Sequence, residues 1–129
     1  MKILLVGGSS FIGRNFIIKA PRNWKIKASF CHSNDFLQFV SDYSNVEPIK
    51  IDLMSKRIPG LGSYDIVLYL PTITPGLAKI SQSNMDEAMY NLHSTGIDKI
   101  YNNIQSCELF IYFSSGVFYL KNDESAYRK

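Results

Sequence analysis

The apolar run at residues 3–6 leads directly into a glycine-containing segment at residues 7–13, and this junction constrains the fold more than any other feature of the chain. An unbroken apolar run is typical of a strand that is buried on both faces of a parallel sheet. Residues 11–19 follow with apolar side chains at helical spacing, until Pro21 prevents the helix from continuing. We therefore expect a strand, a glycine-rich turn and a helix in succession.

Further strands and helices are predicted to alternate along the rest of the chain. A short helix carrying Phe36, Phe39 and Val40 follows Asp35, which can act as its cap, and a long helix covers about residues 84–105. One face of the long helix carries Met85, Met89, Leu92, Ile100 and Ile104, with Gly96 near its middle. The remaining predicted strands are residues 24–31, 46–53, 65–70 and 109–113.

Strands that alternate with helices, and that are mostly apolar from end to end, are typical of a parallel sheet covered by helices on both faces. We expect a Rossmann-like, doubly wound α/β fold with strand order 3-2-1-4-5, formed as a single domain over residues 1–129. The aromatic residues expected in its core are Phe30, Phe36, Phe39, Tyr69, Tyr112 and Phe113.

Composition excludes several classes of protein. Hydrophobic residues make up 46% of the chain and charged residues 19%, which is ordinary for a globular protein and unlike a disordered one. The formal net charge of +3 is diffuse, so no nucleic-acid partner is expected. No apolar run has the roughly 18 residues of a membrane span or the pattern of a secretion signal, which predicts no membrane partner and a cytoplasmic location. Cys31 and Cys107 lack the spacing of a metal or disulfide motif, so we expect small buried thiols, a reducing compartment and no metal.

The segment at residues 7–13 has the properties that the pyrophosphate of a dinucleotide requires. Backbone N–H groups at a helix N-terminus must approach the phosphates, and bulky side chains would block them. Gly7 permits a tight turn, Gly13 lets the helix pack closely, and Ser9 and Ser10 keep the space open. The position of this loop after the first buried strand favours nucleotide binding. An ordinary strand-to-helix turn without a ligand is the alternative.

The pattern Gly-Gly-x-x-Phe-Ile-Gly resembles the extended short-chain dehydrogenase/reductase family, the sugar-nucleotide epimerases, dehydratases and reductases. Asp52 and Leu53 resemble the acidic-apolar pair beside the adenine in that family. Residues 65–71 resemble its fourth strand, Asn91–Thr95 its Asn-x-x-Gly-Thr segment, and residues 113–119 its Ser-Ser-Gly-Ala-Val-Tyr-Gly segment. The similarity extends along the whole chain and implies NAD or NADP as the cofactor.

The end of the second predicted strand indicates which of the two dinucleotides is preferred. An acidic residue there holds the ribose 2′-hydroxyl of NAD, whereas a basic residue accepts the phosphate of NADP. The chain has His32 and Ser33 at this place and no acidic residue before Asp35, which tilts the expectation slightly toward NADP. Asp35 could take the acidic role if the turn is one residue longer, and His32 could be a solvated loop residue. His93 is expected on a helix surface.

The resemblance implies further site residues. It gives Ser115 the role of the catalytic serine or threonine that orients the substrate, although Ser114 and Ser115 could instead satisfy loop backbone. Asn91 would join the loops near the cofactor, or else face solvent. The complete set expected at the cofactor is Gly7, Ser9, Ser10, Phe11, Ile12, Gly13, His32, Ser33, Asp52, Leu53, Leu70, Pro71, Thr72, Asn91 and Ser114.

The chain departs from the family pattern at several positions. Ser10 replaces the middle glycine of the loop, Pro71 and Thr72 replace an Ala-Ala pair, and the catalytic Tyr-x-x-x-Lys is missing, since a lysine partner of Tyr127 would fall at position 131. We expect the NAD(P)-binding domain of a sugar-nucleotide epimerase, dehydratase or reductase, without its C-terminal catalytic part and without turnover in this form. The full-length form would bind a nucleotide sugar, with a homodimer as the candidate assembly. A non-catalytic NAD(P)-binding or scaffolding protein is the alternative, and the coding sequence beyond Lys129 would distinguish the two.

Overall fold

The structure, a computed structural model, describes residues 1–71 and 82–113. Within these residues, five strands form one parallel sheet in the order β3-β2-β1-β4-β5, which confirms the predicted topology. The strands are β1 (Lys2–Val6), β2 (Lys25–Phe30), β3 (Val46–Lys50), β4 (Gly62–Tyr69) and β5 (Ile104–Tyr112). The helices are α1 (Phe11–Lys19), α2 (Phe36–Val40), α3 (Gln82–Tyr90) and α4 (Gly96–Asn103), with a π-helical segment, Asn91–Thr95, between α3 and α4.

Side chains of β1 alternate between the two cores of the molecule. Ile3 and Leu5 pack on one face of the sheet with side chains of α1 and α2, while Leu4 and Val6 pack on the other face with Ile100 of α4. These four side chains of β1 are at most 1% exposed. Burial of such side chains contributes about 1.5–3 kcal/mol each, which explains why residues 3–6 of this central strand are all apolar. Helices therefore cover both faces, as predicted.

Several predicted strand boundaries are wrong. β2 ends at Phe30 and β3 at Lys50, because the chain leaves the sheet there and turns over its carboxyl edge. β4 begins at Gly62, earlier than the apolar pattern indicates, because pairing with β5 extends the strand through Ser63 and Tyr64. Backbone pairing rather than burial therefore sets these ends.

The junction between α4 and β5 also differs from the prediction. The sequence predicts a helix to about residue 105, whereas α4 ends at Asn103 and Ile104 already belongs to β5. The first half of β5 contains three exposed polar residues, Gln105, Ser106 and Glu108. This half of the strand therefore has no apolar run from which it could be predicted. Ile104 packs against the core from the strand and not from a helical face.

Two aromatic residues expected in the core lie at the surface. Tyr112 is 41% exposed and Phe113 45% exposed, because β5 is the edge strand of the sheet within the described residues. Phe36 and Tyr69 are fully buried, in agreement with the prediction. Over residues 1–71 and 82–113, no helix has the length and apolar character needed to cross a membrane.

Candidate functional site

A cleft of about 740 Å³ lies at the carboxyl edge of the sheet, where the ligands of open α/β folds bind. Its volume is within the range of small-molecule and cofactor sites. It is lined by Gly7, Ser9, Ser10, Phe11, Ile12, Ser29, Phe30, Cys31, His32, Ser33, Ile51, Asp52, Leu53, Met54, Leu70, Pro71 and Leu92.

The glycine loop forms one wall of the cleft and depends on two missing side chains. Gly7 has a φ of +89°, in the left-handed region that favours glycine. A Cβ on Gly13 would lie 2.5 Å from the carbonyl oxygen of Gly7 and 2.6 Å from that of Gly8. The first turn of α1 therefore packs directly on the loop backbone, which is the close approach expected of Gly13.

Ser10 is the N-cap of α1 and closes the loop. Its Oγ accepts a hydrogen bond from the Gly13 N–H at 3.0 Å and donates one to the Gly7 carbonyl oxygen at 2.7 Å. The N–H groups of Phe11 and Ile12 lie in the first helical turn, where an α-helix provides no acceptor. Both residues line the cleft, so a ligand anion can receive these hydrogen bonds.

Ser29, a residue that the sequence analysis missed, connects β2 to the glycine loop. It is only 4% exposed, and its Oγ accepts a hydrogen bond from the Gly7 N–H at 2.8 Å. This bond satisfies a backbone donor at the point where the chain turns away from β1. No local sequence signal marks this residue, since Ser29 follows Lys25 and Lys27 at the alternate, polar positions of β2.

The residues after β2 bring no acidic side chain into the cleft. Cys31, His32 and Ser33 line it, whereas Asp35 lies outside and binds the Arg14 guanidinium through both carboxylate oxygens, at 3.0 and 3.1 Å. This hydrogen-bonded guanidinium holds the pKa of Asp35 below its usual range. The predicted capping role of Asp35 is wrong. This residue occupies the N-cap position of α2, but its side chain forms no capping hydrogen bond.

Arg14 also fixes the glycine loop. Its Nε donates to the Ser9 carbonyl oxygen at 2.8 Å, and its guanidinium lies over the rings of Phe36 and Phe39. One side chain of α1 therefore joins the loop, α2 and the ion pair with Asp35.

The turn after β3 forms the opposite wall of the cleft. The Asp52 Oδ1 atom accepts the Met54 N–H at 2.9 Å, and the Asp52 carbonyl oxygen accepts the Ser55 N–H at 3.0 Å. Leu53 is 8% exposed and packs into the core beneath the turn. Burial raises the pKa of the nearby Cys31 thiol, and the negative charge of Asp52 raises it further. The Asp52 carboxylate is thus held at the edge of the cleft.

The third wall comes from the end of β4 and from the π-helical segment. Leu70 and Pro71 line the cleft together with Leu92, which the sequence analysis assigned only to an apolar helix face. The hydroxyl of Tyr69 donates a hydrogen bond to the Leu92 carbonyl oxygen. Asn91, expected at the cofactor, is half-buried and not among the lining residues, and its carbonyl oxygen accepts the Gly96 N–H.

Other predicted residues lie away from this cleft or outside the described residues. Thr72, Ser114 and Ser115 belong to the latter group. His93 is half-buried, and its Nδ1 lies 2.5 Å from the Tyr112 hydroxyl oxygen, so its ring contacts the end of β5 and not the cleft. Burial lowers the pKa of His93. Over residues 1–71 and 82–113, no three His, Cys, Asp or Glu side chains are grouped as a metal site would require.

No protein-family model matches this chain, and neither does any curated protein. Several solved structures match this chain. A protein described as a short-chain dehydrogenase/reductase from Corynebacterium glutamicum is 13% identical, with a TM-score of 0.65 over 99% of this chain and 75% of its own. Serine dehydrogenase from Escherichia coli is 16% identical, with a TM-score of 0.58 over 79% of this chain and 53% of its own. PbgP3 protein from Burkholderia pseudomallei is 14% identical, with a TM-score of 0.53 over 79% of this chain and 34% of its own.

These likenesses define the class of fold. The chain has a Rossmann-like α/β fold of the kind found in dehydrogenases and reductases, with its cleft at the carboxyl ends of the strands. It spans about half the length of the serine dehydrogenase and about a third of PbgP3.

Proposed function

We propose that the cleft binds a nicotinamide adenine dinucleotide. The observation that carries this proposal is the cradle formed by the glycine loop and α1, in which a Cβ at Gly13 would collide with loop backbone. The cradle brings the first-turn N–H groups of Phe11 and Ile12 to the cleft, where the helix dipole favours a pyrophosphate. When bound, the dinucleotide supplies hydride transfer, a chemistry that side chains lack.

Different residues of the cleft would contact different parts of the dinucleotide. The loop residues Ser9 and Ser10, which line the cleft, would lie at the pyrophosphate, and Asp52 and Leu53 would contact the adenine on the opposite wall. The carboxylate of Asp52 can accept a hydrogen bond from the 6-amino group of adenine, while Leu53 offers an apolar surface to the ring. This assignment agrees with the roles that the sequence resemblance implies.

We further propose that NADP(H) is preferred over NAD(H). A carboxylate after β2 would bind the ribose 2′-hydroxyl of NAD and repel the 2′-phosphate of NADP. His32 and Ser33 line the cleft at this place and can donate hydrogen bonds to a phosphate. Asp35, the next acidic residue along the chain, forms an ion pair with Arg14 and does not line the cleft.

The protein is proposed to be the nucleotide-binding part of an epimerase, dehydratase or reductase that acts on nucleotide sugars in the cytoplasm. The likeness to dehydrogenases supports the oxidoreductase class, and the sequence motifs support the sugar-nucleotide branch. In this proposal Ser115 orients the substrate hydroxyl or carbonyl, and Ser114 approaches the cofactor. Substrate binding and dimer formation belong to the full-length form.

A non-catalytic NAD(P)-binding or scaffolding protein is a second candidate, and one feature of the loop favours its scaffolding form. Ser29 and Ser10 side chains accept the N–H groups of Gly7 and Gly13, so these donors are not free for a pyrophosphate. Turnover by the full-length protein with a panel of nucleotide sugars would exclude this candidate. Cofactor binding without turnover would support it.

The test of dinucleotide binding is calorimetric titration of NADP(H) and NAD(H) into the wild type and a matched pair at Ser9. Ser9→Asp places a negative charge beside the expected pyrophosphate, and Ser9→Asn has a similar shape without the charge. We expect Ser9→Asp to weaken binding by at least about tenfold and Ser9→Asn to weaken it much less. Wild-type protein that binds neither dinucleotide at millimolar concentration would refute the proposal.

A further inference from the structure

The side chain of Lys99 connects α4 to the turn that follows β3. Its Nζ donates hydrogen bonds to the carbonyl oxygens of Leu53 and Ser55, both at 2.7 Å. Lys99 is half-buried and forms no salt bridge within residues 1–71 and 82–113. Its ammonium group is therefore satisfied by backbone carbonyls and not by a carboxylate.

The two hydrogen bonds offset the cost of holding the Lys99 side chain in one conformation. Ordering a lysine side chain costs up to about 2 kcal/mol of conformational entropy. Hydrogen bonds from a charged donor are roughly twice as strong as neutral ones, and two of them converge here on one turn. The result is a fixed distance between α4 and the turn.

The turn held by Lys99 is the wall of the cleft that carries Asp52 and Leu53. α4 also packs on this turn at Gly96, where a Cβ would lie 3.7 Å from the Leu53 Cδ1 atom. Within the turn, the Asp52 carboxylate is fixed by the Met54 N–H. The two bonds from Lys99 therefore join α4 to the same turn that carries the Asp52 carboxylate.

We propose that Lys99 is a positioning residue for recognition of the base. By holding the turn, it places the Asp52 carboxylate where this group accepts the 6-amino group of adenine, and it places Leu53 against the ring. Lys99 itself does not touch the ligand. This inference rests on the proposed function, because it assumes that the cleft binds an adenine dinucleotide.

The experiment compares NADP(H) with its hypoxanthine analogue, in which a carbonyl oxygen replaces the 6-amino group. A carboxylate accepts a hydrogen bond from the amino group and repels the carbonyl, so the wild type should bind the adenine form more tightly. Lys99→Met retains much of the side-chain volume and removes both hydrogen bonds. We expect it to weaken binding of the adenine form by about tenfold and to bring the ratio of the two dissociation constants close to one.

Matched variants separate positioning from a general loss of stability. Lys99→Arg can still donate to both carbonyls and should restore most of the base preference. Lys56→Met removes an exposed lysine from the same loop and should leave the ratio unchanged. Asp52→Asn should abolish the preference by itself, and adding Lys99→Met to it should change the ratio no further. If Lys99→Met does not fold, Lys99→Gln takes its place in the comparison.

Each outcome decides the inference. A Lys99 variant with a lower melting temperature but an unchanged ratio would show a purely structural role and overturn it. A wild type that binds both analogues equally would also overturn it, while leaving dinucleotide binding intact. A wild type that binds neither would refute the proposed function, and the inference with it.

Discussion

Gly96 and Tyr69 are in direct contact at the junction between the π-helical segment and α4. A Cβ built on Gly96 would lie 2.5 Å from the Tyr69 hydroxyl oxygen. That hydroxyl donates to the Leu92 carbonyl oxygen, one turn earlier in the same helical region. The absent side chain at Gly96 makes room for the tyrosine, and Leu92 of the π-helical segment lines the cleft. Such π-helical turns are frequent at functional sites.

Gly96→Ala should therefore destabilise the protein, and removing the Tyr69 hydroxyl oxygen should reduce that loss of stability. We expect Gly96→Ala to cost about 1–3 kcal/mol through overpacking, and Tyr69→Phe to cost about 1–2 kcal/mol by leaving the Leu92 carbonyl unpaired. The double variant should lose less than the sum of the two costs. Urea unfolding of the four proteins measures the coupling. Additive costs would show that the hydroxyl is not the obstacle.

The sequence could predict the first βαβ unit and the sheet order because short-range signals define them. The apolar run of β1, the glycines behind it and the spacing of α1 all lie within a few residues of one another. β5 was harder, because Gln105, Ser106 and Glu108 are held in the strand by β4 and not by their own pattern. Pairing with a distant strand leaves no local sequence signature.

The residues of the candidate site likewise include some that the sequence could predict and some that it could not. Most cleft residues expected from the sequence, such as Ser9, His32 and Asp52, directly follow a strand, so the sheet order alone brings them together. Ser29 and Leu92 were missed as site residues because they line the cleft through contacts with distant parts of the chain. Asn91 lies in the π-helical segment and is not among the residues that line the cleft.

Gly13 and Gly60 provide a matched comparison for the role of the glycine loop. A Cβ at Gly13 meets two backbone oxygens that cannot move without opening the loop, whereas a Cβ at Gly60 meets nothing within 4 Å. We expect Gly13→Ala to cost about 3 kcal/mol and Gly60→Ala to change stability by less than about 0.5 kcal/mol. Thermal and denaturant unfolding measure both. Equal effects would show that α1 does not depend on this close approach.

Stability should depend on pH through His93. Burial lowers its pKa in the folded protein, so the unfolded chain binds the proton at higher pH, near its usual value of about 6.5. The contribution of the neutral imidazole is fully present above about pH 6.5 and decreases as the pH falls through the folded-state pKa. His93→Gln should flatten the stability profile below about pH 6.5. A His93→Gln profile as steep as that of the wild type would contradict this.

Ser115→Ala tests the proposed catalytic role in the full-length protein. Loss of a positioned hydroxyl that handles the substrate should reduce turnover by about tenfold to ten-thousandfold, with little change in cofactor affinity. Ser114→Ala is the matched control, because the neighbouring hydroxyl is proposed to approach the cofactor instead. Steady-state kinetics and calorimetry together measure the two effects. Unaltered turnover in Ser115→Ala would remove the assignment.

Cofactor preference should change when a negative charge is placed at Ser33. This residue lines the cleft after β2, and Asp35, the next acidic residue along the chain, is held outside the cleft by Arg14. Ser33→Asp should weaken NADP(H) binding by about tenfold or more through repulsion, while NAD(H) binding is unchanged or improved by a hydrogen bond to the ribose. Ser33→Asn has nearly the same shape and should retain the wild-type preference. Titration of both dinucleotides into the three proteins measures the change. Equal losses for NAD(H) and NADP(H) in Ser33→Asp, or a wild type that prefers NAD(H), would show that the 2′-phosphate does not bind at this end of β2.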